Sequence, residues 1–193
     1  MQDHTQTFQD ISPPVRIVLT GFMGAGKTTV GRVLAHHLDW MFVDLDDVIV
    51  QMEGQSIAAL FATIGESAFR ERERVALETI LPRQSLVLSL GGGAIELEAN
   101  RNLLHSMPDT RVVFLEAPLE ILEARCQQEQ HHPGAVVRPV FADKERLLQR
   151  YIDRLPHYRT AHHTVVTTDR KPEDVALSIL SAFDFDRKLP SHP

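Results

Sequence analysis

Cysteine is almost absent from this 193-residue chain: Cys126 stands alone. A single thiol excludes an internal disulfide and a cysteine-based zinc centre, and it favours a reducing, cytoplasmic setting. Positive charge is not in surplus either. Lys and Arg number 20 against 26 Asp and Glu, a formal net charge of −6. That balance argues against a nucleic-acid partner held by general attraction to phosphate. A nucleotide site is still compatible with it, because such a site needs only a local cluster of basic groups. No apolar run approaches the roughly 20 residues of a membrane span, so no membrane partner is expected. The N-terminus from Met1 to Asp10 is polar and lacks the apolar stretch of a signal peptide. What remains is globular, with 43% hydrophobic and 24% charged residues, in a length that suits one domain with a sizeable core.

Against these absences stands one informative stretch, Gly21-Phe22-Met23-Gly24-Ala25-Gly26-Lys27-Thr28. It satisfies the P-loop pattern and has the required context. Val15–Thr20 before it is a short β-branched run that reads as a buried strand, and Thr29–Leu38 after it carries Val30, Val33, Leu34 and Leu38 at helical spacing. Glycines in such a loop let backbone N–H groups turn toward phosphate oxygens, and the helix start adds unpaired donors. Lys27 is expected to reach the β- and γ-phosphates and the Thr28 hydroxyl to hold Mg²⁺.

The rest of the chain alternates strands with helices, which predicts an α/β fold with a mostly parallel sheet covered on both faces. Residues 1–14 read as a loose leader, 15–183 as one domain and 184–193 as a frayed tail. A second strand, Met41–Val43, ends on Asp44-Leu45-Asp46-Asp47, where carboxylates point into the ligand crevice of α/β sheets. A helix follows and breaks near Gly54. Ser56 is a candidate cap for another helix through Phe61, and a longer charged helix begins at Glu66 with Val75, Leu77 and Ile80 inward. The third strand, Leu86–Leu90, runs into Gly91-Gly92-Gly93, a run suited to close approach of backbone to a ligand. A helix near 97–106, a strand Arg111–Leu115 and a helix from Pro118 to about Cys126 come next. The polar stretch at about 127–142 reads as a mobile lid. After it come a helix from about Asp143 to Leu155 with Leu147, Leu148 and Tyr151 inward, a strand Thr164–Thr167, and a last helix opening at Asp169–Pro172 with Val175, Ile179 and Leu180 inward. The paired histidines His36-His37, His131-His132 and His162-His163 are poor chelates, since neighbouring side chains diverge.

Further features narrow the chemistry. No Asn-Lys-x-Asp run is present to read guanine, so ATP is the expected nucleotide. The third strand ends on Ser89 and Leu90 instead of a Walker-B aspartate, which leaves Asp44 as the nearest carboxylate for Mg²⁺. Arg70, Arg125, Arg138, Arg154 and Arg170 fall at points expected to face the crevice.

These residues resemble the shikimate kinases over about 15–180. The likeness rests on Gly21 to Thr28, on Asp44-Leu45-Asp46, and on Phe69-Arg70 with Glu73. It continues through Ser89-Leu90-Gly91-Gly92-Gly93-Ala94-Ile95 and Val137-Arg138-Pro139, and ends at Arg154-Leu155-Pro156-His157-Tyr158. The resemblance implies a three-layer α/β/α fold of the nucleoside monophosphate kinase type, with a five-stranded parallel sheet and a lid. It also implies transfer of the ATP γ-phosphoryl group to the 3-hydroxyl of shikimate, on the route to chorismate and the aromatic amino acids.

Carried over by matching position, Gly24, Ala25, Gly26, Lys27, Thr28 and Thr29 would hold phosphate, with Arg125, Arg170 and Pro172 around adenine. Thr28 would ligate Mg²⁺, and Asp44 would hold it through water. Asp46 would take the substrate hydroxyls. Arg70 and Arg154 would clamp its carboxylate beside Gly91, Gly92 and Gly93. Lys27, Asp46 and the lid residue Arg138 would be the catalytic groups. The expected state is a monomer whose partners are the small molecules ATP and shikimate. Two other readings stand beside this one. A kinase for gluconate or an aminated shikimate would also meet a carboxylate and hydroxyls, though Arg70-x-x-Glu73 with the triple glycine weighs against gluconate. A non-catalytic nucleotide-binding regulator would not need Lys27, Asp46 and Arg138 together.

Overall fold

The run Arg16–Thr20 forms strand β1, and all five residues are buried. A strand hidden on both faces needs neighbours on both sides. In the computed structural model, which describes residues 15–130, 144–183 and Phe185, β1 is the centre of a five-stranded sheet. The order is β2-β3-β1-β4-β5, with β2 at Met41–Asp44, β3 at Leu86–Ser89, β4 at Thr110–Glu116 and β5 at His163–Val166. Every pairing is parallel, so all the carboxyl ends open on one edge, where α/β sheets bind ligands.

Seven helices join the strands among the described residues: α1 Lys27–Leu38, α2 Leu45–Glu53, α3 Ile57–Ile80, α4 Glu98–Ser106, α5 Leu119–Gln130, α6 Lys144–Tyr158 and α7 Pro172–Ala182. They cover the sheet in the expected three-layer arrangement, α1 packing with α7 while α3 packs with α2 and α4. Val30 and Leu34 of α1 and Val175, Ile179 and Leu180 of α7 enter the core as their spacing implies. No single helix among the described residues is long and apolar enough to cross a membrane.

Some boundaries differ from expectation for identifiable reasons. The Ser56 hydroxyl accepts from the Ala59 N–H as a cap, but the helix it opens runs past Phe61. Nothing breaks it before Gly65, whose φ of 75° and ψ of 174° kink α3 into the two helices the sequence suggests. In α6, Leu147 is buried but Leu148 is 47% exposed. The inward face is set by Leu147, Arg154 and Tyr158, and Leu148 lies one helical step away from it. The same helix continues beyond Leu155 and through Pro156, because the fully buried Tyr158 stacks on Phe114 at 5.2 Å. Phe185, assigned from sequence to the tail, packs edge-on against Trp40 at 5.5 Å. His162 does not face solvent alone: its Nδ1 accepts the Val112 N–H at 2.9 Å, and burial first, then His105, lowers its pKa.

Candidate active site

The loop between β1 and α1 bends sharply because Gly24 and Gly26 take φ values of 75° and 88°. At Gly24 a side chain is doubly excluded, since a Cβ would lie 2.5 Å from the Leu122 carbonyl oxygen and 2.8 Å from Cys126 Sγ. The lone cysteine thus backs the loop as packing. α1 opens with no acidic residue in its first turn, so its positive end is left for an anion. Lys27 Nζ donates to the carbonyls of Gly21 at 2.8 Å and Phe22 at 3.0 Å, which curls it over the loop.

Two cavities meet at this loop. The first, about 290 Å³, is lined by Gly24, Gly26, Lys27, Thr28, Thr29, Asp44, Asp46, Gly91, Gly92 and Arg154, among others. The second, about 340 Å³, is lined by Gly24, Ala25, Gly26, Thr29, Arg125, Arg170 and Pro172, with Gln128, Thr167 and Val175. The structure therefore brings together the residues expected around phosphate and those expected around adenine, on either side of one glycine loop. Arg125 is fixed by Thr167, donating to its Oγ1 at 2.9 Å and its carbonyl at 2.7 Å. Arg170 donates to the Asp174 carbonyl at 2.6 Å. Arg138 and most of the expected lid, from 131 onward, lie outside the described residues, and Gln127–Gln130 complete α5.

A carboxylate stands in register with the strand end that lacks a Walker-B aspartate. Asp44 of β2 pairs with Ser89 of β3, so the carboxylate sits one strand over at the same level of the sheet. Its Oδ2 accepts the Thr28 hydroxyl at 2.9 Å, while Oδ1 caps α2 by accepting the Asp46 N–H at 3.2 Å. Beside them the buried Ser89 hydroxyl has no protein partner among the described residues. A hydroxyl, a carboxylate and an orphaned hydroxyl form a hard-oxygen corner that fits Mg²⁺ and its waters.

At the other end of the crevice, charge is concentrated. Arg70 pairs with Glu73 at 2.9 Å and with Glu66 at 3.0 Å, and Arg154, whose side chain is only 5% exposed, donates from Nε to Glu96 Oε1 at 2.6 Å. Arg70 reaches that same oxygen at 3.7 Å, so the two arginines expected to share a carboxylate converge on one. The Arg70 guanidinium packs against Gly93, where a Cβ would sit 2.6 Å from Cζ. Gly91 is likewise confined, since a Cβ there would approach Asp46 Oδ1 to 2.8 Å and Glu73 Oε1 to 2.9 Å. Gly92 is held from below by the Tyr158 hydroxyl, which donates to its carbonyl at 2.5 Å.

Glu73 is the least comfortable group in this cluster. Burial pushes its pKa up to about 7; Arg70 opposes the shift and Asp46 adds to it. For Arg70, burial works against the charge, but Glu73, Glu96 and Glu66 overcome it and raise its pKa. Enclosure decides for Glu73, because at 1% exposure its carboxylate has little access to water. The folded state then holds the Glu73 proton more tightly than the unfolded chain does. Its contribution to stability is full below about pH 4.5 and is lost as pH rises through about 7. The difference is on the order of 3 kcal/mol. Glu73→Gln should remove that part of the slope, so denaturant melts at pH 5 and pH 8 should differ less for the variant than for the parent. Equal differences would remove Glu73 as the source.

Two residues in the site carry no role in the sequence reading. Tyr158 stands in the sequence only as part of the closing motif, and Glu96 carries no expected role. The signal for Glu96 is its place three residues after the triple glycine.

The comparisons with known proteins agree with this geometry. A model of the shikimate kinase family matches residues 23–184. The shikimate kinase of Sulfurihydrogenibium sp. is 36% identical over 165 residues, covering 86% of this chain and 95% of that protein. The shikimate kinase of Burkholderia thailandensis is 39% identical over 158 residues, covering 82% of this chain and 83% of the relative. Among solved structures, shikimate kinase from Acinetobacter baumannii in complex with shikimate superposes with a TM-score of 0.79 at 37% identity, covering 93% of this chain and 97% of that one. With a family match across most of its length, relatives above the 30% level and a P-loop crevice of this shape, the chain belongs to the shikimate kinase family of ATP-dependent phosphotransferases.

Proposed function

We propose that the chain transfers the γ-phosphoryl group of ATP to the 3-hydroxyl of shikimate, giving shikimate 3-phosphate and ADP, with the crevice residues in the following roles. The observation that carries this reading is the convergence of Arg70 and Arg154 on one carboxylate oxygen beside the P-loop. A paired guanidinium site suits a planar, non-reacting carboxylate on the acceptor.

The second cavity takes adenine against Arg125, Arg170 and Pro172, and the loop amides from Gly24 to Thr29 with Lys27 take the phosphates. Thr28 and Asp44 would hold Mg²⁺, with Ser89 beside them. When bound, the metal neutralises charge on the transferring phosphates. The arginine pair and the glycine backbone at 91–93 fix the acceptor ring. Asp46 then faces its hydroxyls, orients the 3-hydroxyl and takes its proton as the oxygen–phosphorus bond forms and the bond to ADP breaks. Arg138 supplies positive charge from the lid. Catalysis here is positioning and charge neutralisation, with no covalent enzyme intermediate. The lone, buried Cys126 is in keeping with a cytoplasmic setting.

The test is acceptor-dependent ADP release with ATP and Mg²⁺. Shikimate should give rapid turnover, and gluconate and a nucleoside monophosphate should give little above background. Turnover with gluconate equal to that with shikimate would favour a broader hydroxy-acid kinase. No dependence on any acceptor would favour a regulator.

A further inference from the structure

We propose that Glu96 is a tethered competitor carboxylate: it occupies the arginine clamp when no acceptor is bound, and the acceptor's carboxylate must displace it. The inference rests on the reading of Arg70 and Arg154 as the acceptor clamp.

Charge comes first. Glu96 Oε1 stands 2.6 Å from Arg154 Nε and 3.7 Å from Arg70 Nη2. Of the carboxylates around Arg70, Glu73 is buried and Glu66 sits out on α3, 54% exposed. Glu96 is the one of these that also pairs with Arg154. It therefore stands where an acceptor carboxylate would have to make its contacts, and both cannot satisfy Arg154 Nε together.

Mechanics come second. The backbone under Glu96 is pinned. Its N–H donates to the Gly93 carbonyl at 3.0 Å, and its carbonyl accepts from Arg101 Nη1 at 2.7 Å, as does that of Ile95. Asn100 ties down the Ala94 carbonyl at 2.8 Å. The side chain, by contrast, is 36% exposed and has solvent to swing into. Displacement therefore needs a side-chain rotation and leaves the triple-glycine loop in place. A tethered group competes at high effective concentration, so the acceptor must offer more than a negative charge to win. Shikimate offers its hydroxyls to Asp46 as well. A bare small carboxylate does not, and the clamp stays closed to it. The same contact keeps two poorly solvated guanidinium groups compensated in the empty enzyme.

The experiment compares the wild type with Glu96→Ala and Glu96→Gln by steady-state kinetics and by equilibrium binding of shikimate, with thermal unfolding to show that each variant is folded. Glu96→Ala should lower the shikimate Kd and KM about three- to tenfold and leave the ATP KM unchanged. Glu96→Gln keeps the size, loses the charge and should give most of that gain. Acetate should inhibit the wild type poorly and compete measurably with shikimate in Glu96→Ala. A rise in shikimate KM in both variants would make Glu96 a residue that positions the arginines and would overturn the proposal. So would an unchanged KM, or a gain in Glu96→Ala that Glu96→Gln does not share. Arg154→Ala in the same assay separates the two levels. If it raises the shikimate KM while Glu96→Ala gives no gain, only the competitor role fails. If it has no effect, the clamp reading fails as well.

Discussion

Lys27→Ala is expected to lower kcat/KM by about 10²–10³-fold while the protein stays folded. Lys27 is the first residue of α1 and lines the phosphate crevice, with its ammonium resting on the Gly21 and Phe22 carbonyls. Those bonds keep the charge over the loop, where the proposed mechanism needs it for the γ-phosphate. Their loss should cost the fold on the order of 1 kcal/mol each. The catalytic loss is larger, since a preformed charge in a partly dehydrated crevice is not replaced by water. The check pairs steady-state rates with a thermal melt. A folded variant with near wild-type turnover would end the phosphate role of the loop.

The second large effect is at the arginine pair. Arg154→Ala and Arg70→Ala should each raise the shikimate KM about ten- to a hundredfold, with the ATP KM nearly unchanged. Their side effects should differ. Arg154 lies over the Phe22 ring at 5.7 Å and holds Glu96, so its loss frees a carboxylate that can turn to solvent. Arg70 neutralises the buried Glu73, so its loss leaves a carboxylate with nowhere to go, and that variant should be the less stable above pH 7. Lysine should rescue neither, because a point charge does not reproduce the guanidinium fork. An effect falling mainly on ATP would place the arginines at the wrong substrate.

The phosphate end of this site was legible in the sequence because its parts are contiguous. Gly24 to Thr29 lie in one turn, and the strand and helix on either side are dictated by local apolar patterning. The position of Asp44 at the strand end was legible too, and the register places it level with Ser89. The acceptor end was legible only through family likeness. Arg70 and Arg154 sit on α3 and α6, and nothing local to either says they meet. Glu96 carries no local signal of its ion pair in the sequence, and Tyr158 stands there as a member of the closing motif with nothing to say that its hydroxyl reaches the Gly92 carbonyl. Glu73 belongs to the motif that carries the likeness, and its burial was legible as well, because it shares the helical face of Phe69, Ala76, Leu77 and Ile80. Leu148 shows the converse error, in which an apolar residue next to the core stripe was counted as part of it.

The central claim is that two arginines from distant helices read the acceptor's carboxylate. It is tested most directly by a binding cycle with shikimate and its decarboxylated analogue, each measured against wild type and Arg154→Ala. The account predicts that the substitution weakens shikimate about ten- to a hundredfold and leaves the analogue's weak binding unchanged, because the partner group is already gone. Equal weakening of both ligands would mean that Arg154 shapes the crevice without touching the carboxylate, and would contradict the account.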